Sequence, residues 1–412
     1  MSRANFVKAM QSEVSRIDGT KTQKRQEKVI EGFTKDVSPR ALIDGREVRI
    51  FNSNDYLGLR HHPKVKKAEH EASELYGAGP GAVRFISGSL KVHRDLENAL
   101  AKFHGREAGM IFSSAFATNM AVLFCLLKGQ NKDSLITGRA LVISDALNHR
   151  SIIDGIRVAG LDADQKEIFN HMDADSLREV LAKNTGKFER VIVVTDGVFS
   201  MLGEYQDLKA LRKVVDEFDG KFDHGVWLVM DDAHGVGIGG ETGRGTEEVS
   251  GARVDILIGT MGKAFGTDGG YVVADQSVID FLRESAATYI YSNNIAPGTA
   301  GAALASVQIV GSAEGKALLT QSRANVDRFK HLMKEAGFTF AADSHHPIQP
   351  ILIAEPVKTK ALTDALFEAG FLVTNINYPV VPKGKDEIRV QLSATHTLQD
   401  IEAFVKAAER LA

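Results

Sequence analysis

Between about residues 105 and 274, short and almost uninterrupted apolar runs alternate with segments whose apolar positions recur at helical spacing. The runs are AGMIFSS (108–114), ALVISD (140–145), VIVVTDG (191–197), VWLVMDD (226–232), DILIGT (255–260) and GGYVVA (269–274). A strand that is apolar on both faces belongs in a sheet covered on both sides. Amphipathic segments such as DADSLREVLAKN (173–184) supply the covering helices. The pattern therefore predicts an α/β fold on a mostly parallel sheet.

After about residue 300 the rhythm changes. A helical segment, GTAGAALASVQIV, leads through another helix into PIQPILIA, ALTDALFEAGF, LVTNINYP, IRVQLSA and a last helix. That helix opens with Thr397 and Asp400 in capping-box spacing. This half reads as a smaller α+β domain. At the other end, residues 4 to about 33 alternate charged and apolar positions in helical fashion, which predicts an N-terminal arm helix.

Composition narrows the function classes. A formal net charge of −3 over 412 residues gives no electrostatic reason to expect nucleic acid or an anionic membrane as partner. No stretch approaches the roughly 20 apolar residues of a membrane-spanning helix. The N-terminus has mixed charges and does not resemble a secretory signal. The single cysteine, Cys125, lies in the apolar run MAVLFCLL and excludes an internal disulfide. The expectation is a cytoplasmic protein.

Polar residues cluster where the apolar runs end: Asp145 and His149, Asp196 and Ser200, Asp231 and His234, Thr260 and Lys263. Ligands of open parallel sheets bind at the carboxyl ends of the strands, so these four ends point to one composite site. Gly262-Lys263 invites a phosphate-loop reading. That signature needs glycine five residues before the pair and Ser or Thr after it, and here Leu257 and Ala264 stand there. Gly235, Gly237 and Gly240 satisfy G-x-G-x-x-G, but ETGRGTEEVSG follows instead of a helix. Asp231, Asp232 and His234 lack a second histidine at helical spacing, so no metal is expected. Successive strand residues face opposite ways, which makes one of the two aspartates structural.

One chemistry uses these residues together. Pyridoxal 5′-phosphate (PLP) needs a lysine for covalent attachment, an acid against the pyridine nitrogen, a flat group over the ring and donors for the phosphate. A carboxylate beside the nitrogen keeps it protonated. Asp231, Lys263, His149 and the turn SSAFATN (113–119) can fill these roles.

The chain resembles the α-oxoamine synthases, among the fold-type I (aspartate aminotransferase-like) PLP enzymes. The resemblance runs through FNSNDYLGL (51–59), VRFISGSLKVHRDLE (83–97), SSAFATN, DALNHRSIIDG (145–155), DGVFSMLG (196–203), DDAHGVG, GTMGKAFG and IRVQLSATHT (388–397). It implies a large domain with a mostly parallel seven-stranded sheet plus a smaller α+β domain. Residues 1–55 would form the arm and part of the small domain, 56–300 the large PLP-binding domain, and 301–412 the C-terminal small domain. It further implies that Lys263 carries the cofactor and acts as acid/base on the substrate α-carbon. Asp231 would pair with the pyridinium nitrogen, His234 would bond the ring hydroxyl oxygen, and His149 would stack on the ring. The turn at Ser114, Ala115 and Phe116 would hold the phosphate with Thr260, and Asn293 would reach the phosphate of a partner subunit in a homodimer with shared sites. Arg389 would take the amino-acid carboxylate in a bidentate pair, with Asn54 and Ser200 assisting. Asp268 stands where a small apolar residue is expected and adds a carboxylate near the cofactor or pointing away from it.

The implied reaction joins a small amino acid to an acyl thioester and releases the thiol. GAGPGAVRFISG (77–88) and YSNNIAP (291–297) look closest to the glycine C-acetyltransferase branch, whereas DDAHGVG and KAFGTDGGY sit nearer the 8-amino-7-oxononanoate synthases. Glycine with a short acyl-CoA is the favoured pair. The alternatives are a decarboxylative condensation of alanine with a longer acyl thioester, or a secondary-metabolism synthase. An acyl-CoA and an acyl carrier both fit.

Overall fold

The computed structural model describes residues 2–19, 25, 27–34, 39–128, 133–136, 138–378 and 380–412. Seven strands form the main sheet: β1 (Ala108–Phe112), β2 (Ala140–Asp145), β3 (Lys166–Phe169), β4 (Arg190–Asp196), β5 (Val226–Asp231), β6 (Ile256–Thr260) and β7 (Gly270–Ala274). Their order is β1-β7-β6-β5-β4-β2-β3. Only β7 runs antiparallel to its neighbours. The seven-stranded, mostly parallel sheet expected from the sequence is present.

The apolar runs are continuous because both sheet faces are covered. Along β4, Val191 and Val193 join one core cluster while Ile192 and Val194 join the cluster on the other face. Each such side chain contributes roughly 1.5–3 kcal/mol on burial. Helix Ala174–Asn184, capped by Asp173, and helix Leu208–Phe218 pack on the first face. Helix Ala115–Leu127 packs on the second and carries Cys125 fully buried.

Besides a two-stranded hairpin of Val198–Phe199 with Glu204–Tyr205, two smaller sheets lie beside the main one. One is antiparallel, with Glu387–Gln391 between Ile348–Leu352 and Thr374–Ile376. The other joins chain ends: Gly32–Phe33, Arg40–Ile43 and Arg46–Ile50 are extended by Phe371–Leu372. The last helix, Leu398–Leu411, has the capping box of Thr397 and Asp400. Asp400 also receives Arg40 and Arg49 at 2.8 Å each, which fastens this helix to the N-terminal strands.

The arm helix differs from expectation. It covers Ser2–Gly19 with no buried residue, while Gly32–Phe33 is strand. Part of the expected helix, at 20–24 and 26, lies outside the described residues. The alternation of charged and apolar residues beyond 27 belongs to an extended segment leading into the sheet. Among the described residues, no helix is long and apolar enough to cross a membrane.

Candidate active site

The carboxyl ends of β4, β5 and β6 and the segment after β2 open onto one cavity of about 210 Å³. Ala115, Phe116, His149, Ser200, Asp231, His234, Thr260 and Lys263 line it, together with Ser151 and Asp196. The segments converge because parallel strands release their chains on the same edge. Asp231 and Asp196 are paired in register on adjacent strands, which sets two buried carboxylates side by side. Burial, reinforced by Asp231, pushes the Asp196 carboxyl well above the usual range.

Lys263 Nζ has no hydrogen-bond partner among the described residues. Desolvation lowers its pKa to about 8, with Asp231 and Asp196 opposing. His149 caps helix Arg150–Val158, and its backbone N–H donates to Asp196 Oδ2 at 2.9 Å. Desolvation lowers its pKa, Asp231 opposes and Lys263 adds to the fall. Asp231 Oδ2 accepts from Asn119 Nδ2 at 2.5 Å, and Oδ1 from the Ala233 N–H at 2.9 Å. His234 Nδ1 lies 2.7 Å from the hydroxyl of buried Tyr56. Burial, with Lys263 nearby, drives His234 well below its ordinary pKa.

The two aspartates part as strand geometry requires. Asp231 faces the cavity, whereas Asp232 accepts from the Thr246 N–H at 2.8 Å and hydroxyl at 2.6 Å. The loop holding Gly235, Gly237 and Gly240 is a run of turns packed around Asp232 and opens no helix of dinucleotide-binding type.

Four of the remaining sequence candidates have partners that the sequence does not reveal. Thr260 lines the cavity, but its hydroxyl donates to Gly269 O at 3.0 Å within its own turn. Arg389 Nη1 donates to the backbone oxygen of Ser200 at 2.9 Å, not to its hydroxyl, and Nε is buried without a partner. Asn54 Oδ1 accepts from Gln391 at 2.5 Å, outside the cavity lining. Asn293 is exposed and is not brought to the cavity of its own chain. Asp268 is exposed as well and accepts from the Gly269 N–H at 2.8 Å.

Residues 46–407 match the family described as Aminotransferase class I and II. The chain belongs to that family. It is 39% identical over 375 residues to the 8-amino-7-oxononanoate synthase of Geobacter sulfurreducens, covering 90% of both chains. The enzyme of the same name from Thermoanaerobacter pseudethanolicus is 37% identical over 375 residues, again at 90% of each. A solved serine palmitoyltransferase from Sphingomonas wittichii superposes with a TM-score of 0.86 at 26% identity, over 98% of this chain and 96% of that one. Within the class I and II aminotransferase family, the chain is an α-oxoamine synthase, a PLP-dependent C-acyltransferase. The sequence-level preference for glycine and a short acyl-CoA gains nothing from these relatives. The alternative agrees with the name two of them carry.

The cavity suits PLP. The N–H groups of Ala115 and Phe116, first in their helix, have no partner among the described residues and line the cavity where a phosphate can accept from them. Lys263 offers an unpartnered amine, and Asp231 a buried carboxylate.

Asn119, Ser151 and Tyr56 join the site unforeseen from the sequence, although all three lie inside the motifs quoted above. Asn119 gave one signal: it sits one turn after Ala115 on the same helix face, and asparagine inside a helix usually has a polar task.

Proposed function

We propose that the chain condenses alanine, or a similarly small amino acid, with an acyl thioester longer than acetyl, releasing the thiol and carbon dioxide. The cofactor chemistry is supported by the convergence of Lys263, Asp231 and His149 on one cavity beside two helix N–H groups without partners among the described residues. The choice of alanine with a longer acyl chain is carried by the likeness to 8-amino-7-oxononanoate synthases. When bound, PLP supplies an electron sink for negative charge developing at the amino acid's α-carbon.

In this reading Asp231 holds a proton at the pyridine nitrogen, and Asn119 keeps that carboxylate in place. His234 donates from Nε2 to the ring hydroxyl oxygen while Tyr56 occupies Nδ1. Lys263, with its pKa lowered to about 8, takes the proton from the substrate Cα and later returns one. Arg389 receives the substrate carboxylate through the donors it does not spend on Ser200, with Asn54 and Ser200 beside it. Ser114, Ala115, Phe116 and Thr260 frame the phosphate. Asn293, exposed on one chain, serves the phosphate of a second copy in a homodimer.

The purified protein with PLP is expected to be yellow, to bleach with borohydride, and to lose both properties in Lys263→Ala. Alanine, glycine and serine are then offered with acetyl-, pimeloyl- and palmitoyl-CoA while thiol and carbon dioxide release are followed. Equal release of both from alanine and a longer acyl chain is expected. A protein that takes up no PLP sinks the whole reading. Turnover confined to glycine and acetyl-CoA, with the carboxylate retained, sinks the substrate assignment alone.

A further inference from the structure

A neutral imidazole carries its one proton on either nitrogen, and its partners decide which. Nδ1 of His149 faces two groups of Ser151, the backbone N–H at 3.3 Å and the hydroxyl at 2.8 Å. A peptide N–H can only donate, so Nδ1 must present a lone pair. The hydroxyl proton is fixed by what lies behind it. Asn119 Nδ2 stands 2.9 Å from Ser151 Oγ and 2.5 Å from Asp231 Oδ2. Turning the amide over would set its carbonyl oxygen against the Asp231 carboxylate, acceptor to acceptor. The NH₂ must therefore face Asp231. Its two hydrogens go to Asp231 and to Ser151 Oγ, which leaves the hydroxyl's own proton for Nδ1.

Asn119, Ser151 and Asp231 are all at least 95% buried, so water does not compete for these bonds. Asn119 Oδ1 is buried without a partner among the described residues, an arrangement the fold tolerates in order to keep the NH₂ end engaged. Asp196 fixes the backbone of His149 from another strand. The Nε2 edge of the ring has no partner among the described residues, and His149 lines the cavity.

From this geometry we propose that Asn119 and Ser151 are positioning residues. They lock His149 as the Nε2–H tautomer and tie that lock to the carboxylate of Asp231. His149 then presents one fixed N–H edge to the cavity. Its lowered pKa agrees with a ring that is neutral at pH 7. The catalytic consequence rests on the proposed function, but the tautomer is a property of the chain alone.

The test is nitrogen NMR of the full-length, PLP-bound protein labelled with ¹⁵N-histidine, His149 being assigned by its loss in His149→Gln. Nδ1 is expected to resonate as an unprotonated nitrogen and Nε2 as an N–H. Ser151→Ala keeps the peptide donor but removes the hydroxyl, so the two resonances should move toward one another. With it, kcat should fall roughly 10- to 100-fold, while KM for the amino acid stays within about twofold. Ser151→Thr should restore both readouts. A protonated Nδ1 in the unsubstituted protein overturns the proposal, even if Ser151→Ala does not fold. Ser151→Ala with unchanged nitrogen shifts and only a lower melting temperature overturns it too. A wrong acyl substrate leaves every spectrum as expected, so the two failures are distinguishable.

Discussion

Gly270 begins the one antiparallel strand of the main sheet, directly under the turn at Ser114 and Ala115. A methyl group there would stand 2.3 Å from the Ala115 nitrogen, 2.4 Å from the Ser114 carbonyl carbon and 2.5 Å from Ala115 Cα. Non-bonded carbon contacts settle near 3.5–4.0 Å, so turn and strand must separate by about 1 Å. All three atoms are backbone, and no rotamer change relieves the clash. The strand backbone of Gly270 is one that alanine adopts freely, so the methyl alone is responsible. Overpacking of this kind costs about 1–3 kcal/mol. If the turn yields, the N–H groups of Ala115 and Phe116 lose their aim, and PLP affinity falls roughly 5- to 140-fold for the same energy. The assay is a PLP titration of Gly270→Ala by visible absorbance, with thermal melting alongside. Gly301→Ala is the control. Its Cβ would meet Ala68 O and Ala72 Cβ at 2.7 Å, between helices Pro63–Tyr76 and Pro297–Val310, outside the cavity lining. It should lower the melting temperature and leave PLP affinity unchanged. A folded Gly270→Ala protein with unaltered Kd for PLP would refute the reasoning.

Two further predictions concern ionisation. His171 lies between Asp145 at 3.0 Å and Glu204 at 3.6 Å; desolvation opposes its charge, but the hydrogen bond with Asp145 and the attraction of both carboxylates outweigh it and raise its pKa to about 9. Its contribution is therefore whole below the unfolded value near pH 6.5 and is lost as the pH climbs through about 9. His171→Gln should lose up to about 3 kcal/mol at pH 7. Denaturant titrations should show that deficit vanishing above about pH 10, and a deficit independent of pH contradicts the assignment. Lys263, lowered to about 8, must be unprotonated to take up PLP, so uptake by the cofactor-free protein should quicken with pH and level off above about 9. A rate still climbing at pH 10.5 would mean an unperturbed lysine.

The main sheet was legible because each apolar run is buried on both faces, which leaves little choice of position. Strand β3 escaped notice: its residues KEIF alternate between exposed and half-buried positions at the sheet edge, and only Phe169 is buried. At the site, Lys263, Asp231, His149 and His234 were readable from spacing after strands, since strand ends dictate where those side chains emerge. Arg389 comes from the strand Glu387–Gln391 and Asn54 from the bend after the strand Arg46–Ile50, and their partners Ser200 and Gln391 lie 189 and 337 residues away in sequence. No local pattern encodes such pairings. The same holds for Asn119, whose two bonds span 32 and 112 residues. Asp268, which the sequence left either near the cofactor or pointing away from it, is exposed, lies outside the cavity lining and accepts from the Gly269 N–H.

Helix Ala115–Leu127 starts at the turn proposed to hold the phosphate and contains the one thiol of the chain, fully buried and pushed by burial to about 12. A thiol reagent reaches Cys125 only when that helix comes away from the sheet. The rate of modification therefore counts those openings in the unaltered protein, with no dye or spin label attached. A phosphate held at the helix start must slow that clock in proportion to its occupancy, which makes one sulfur atom a gauge of how firmly the far end of its own helix is gripped.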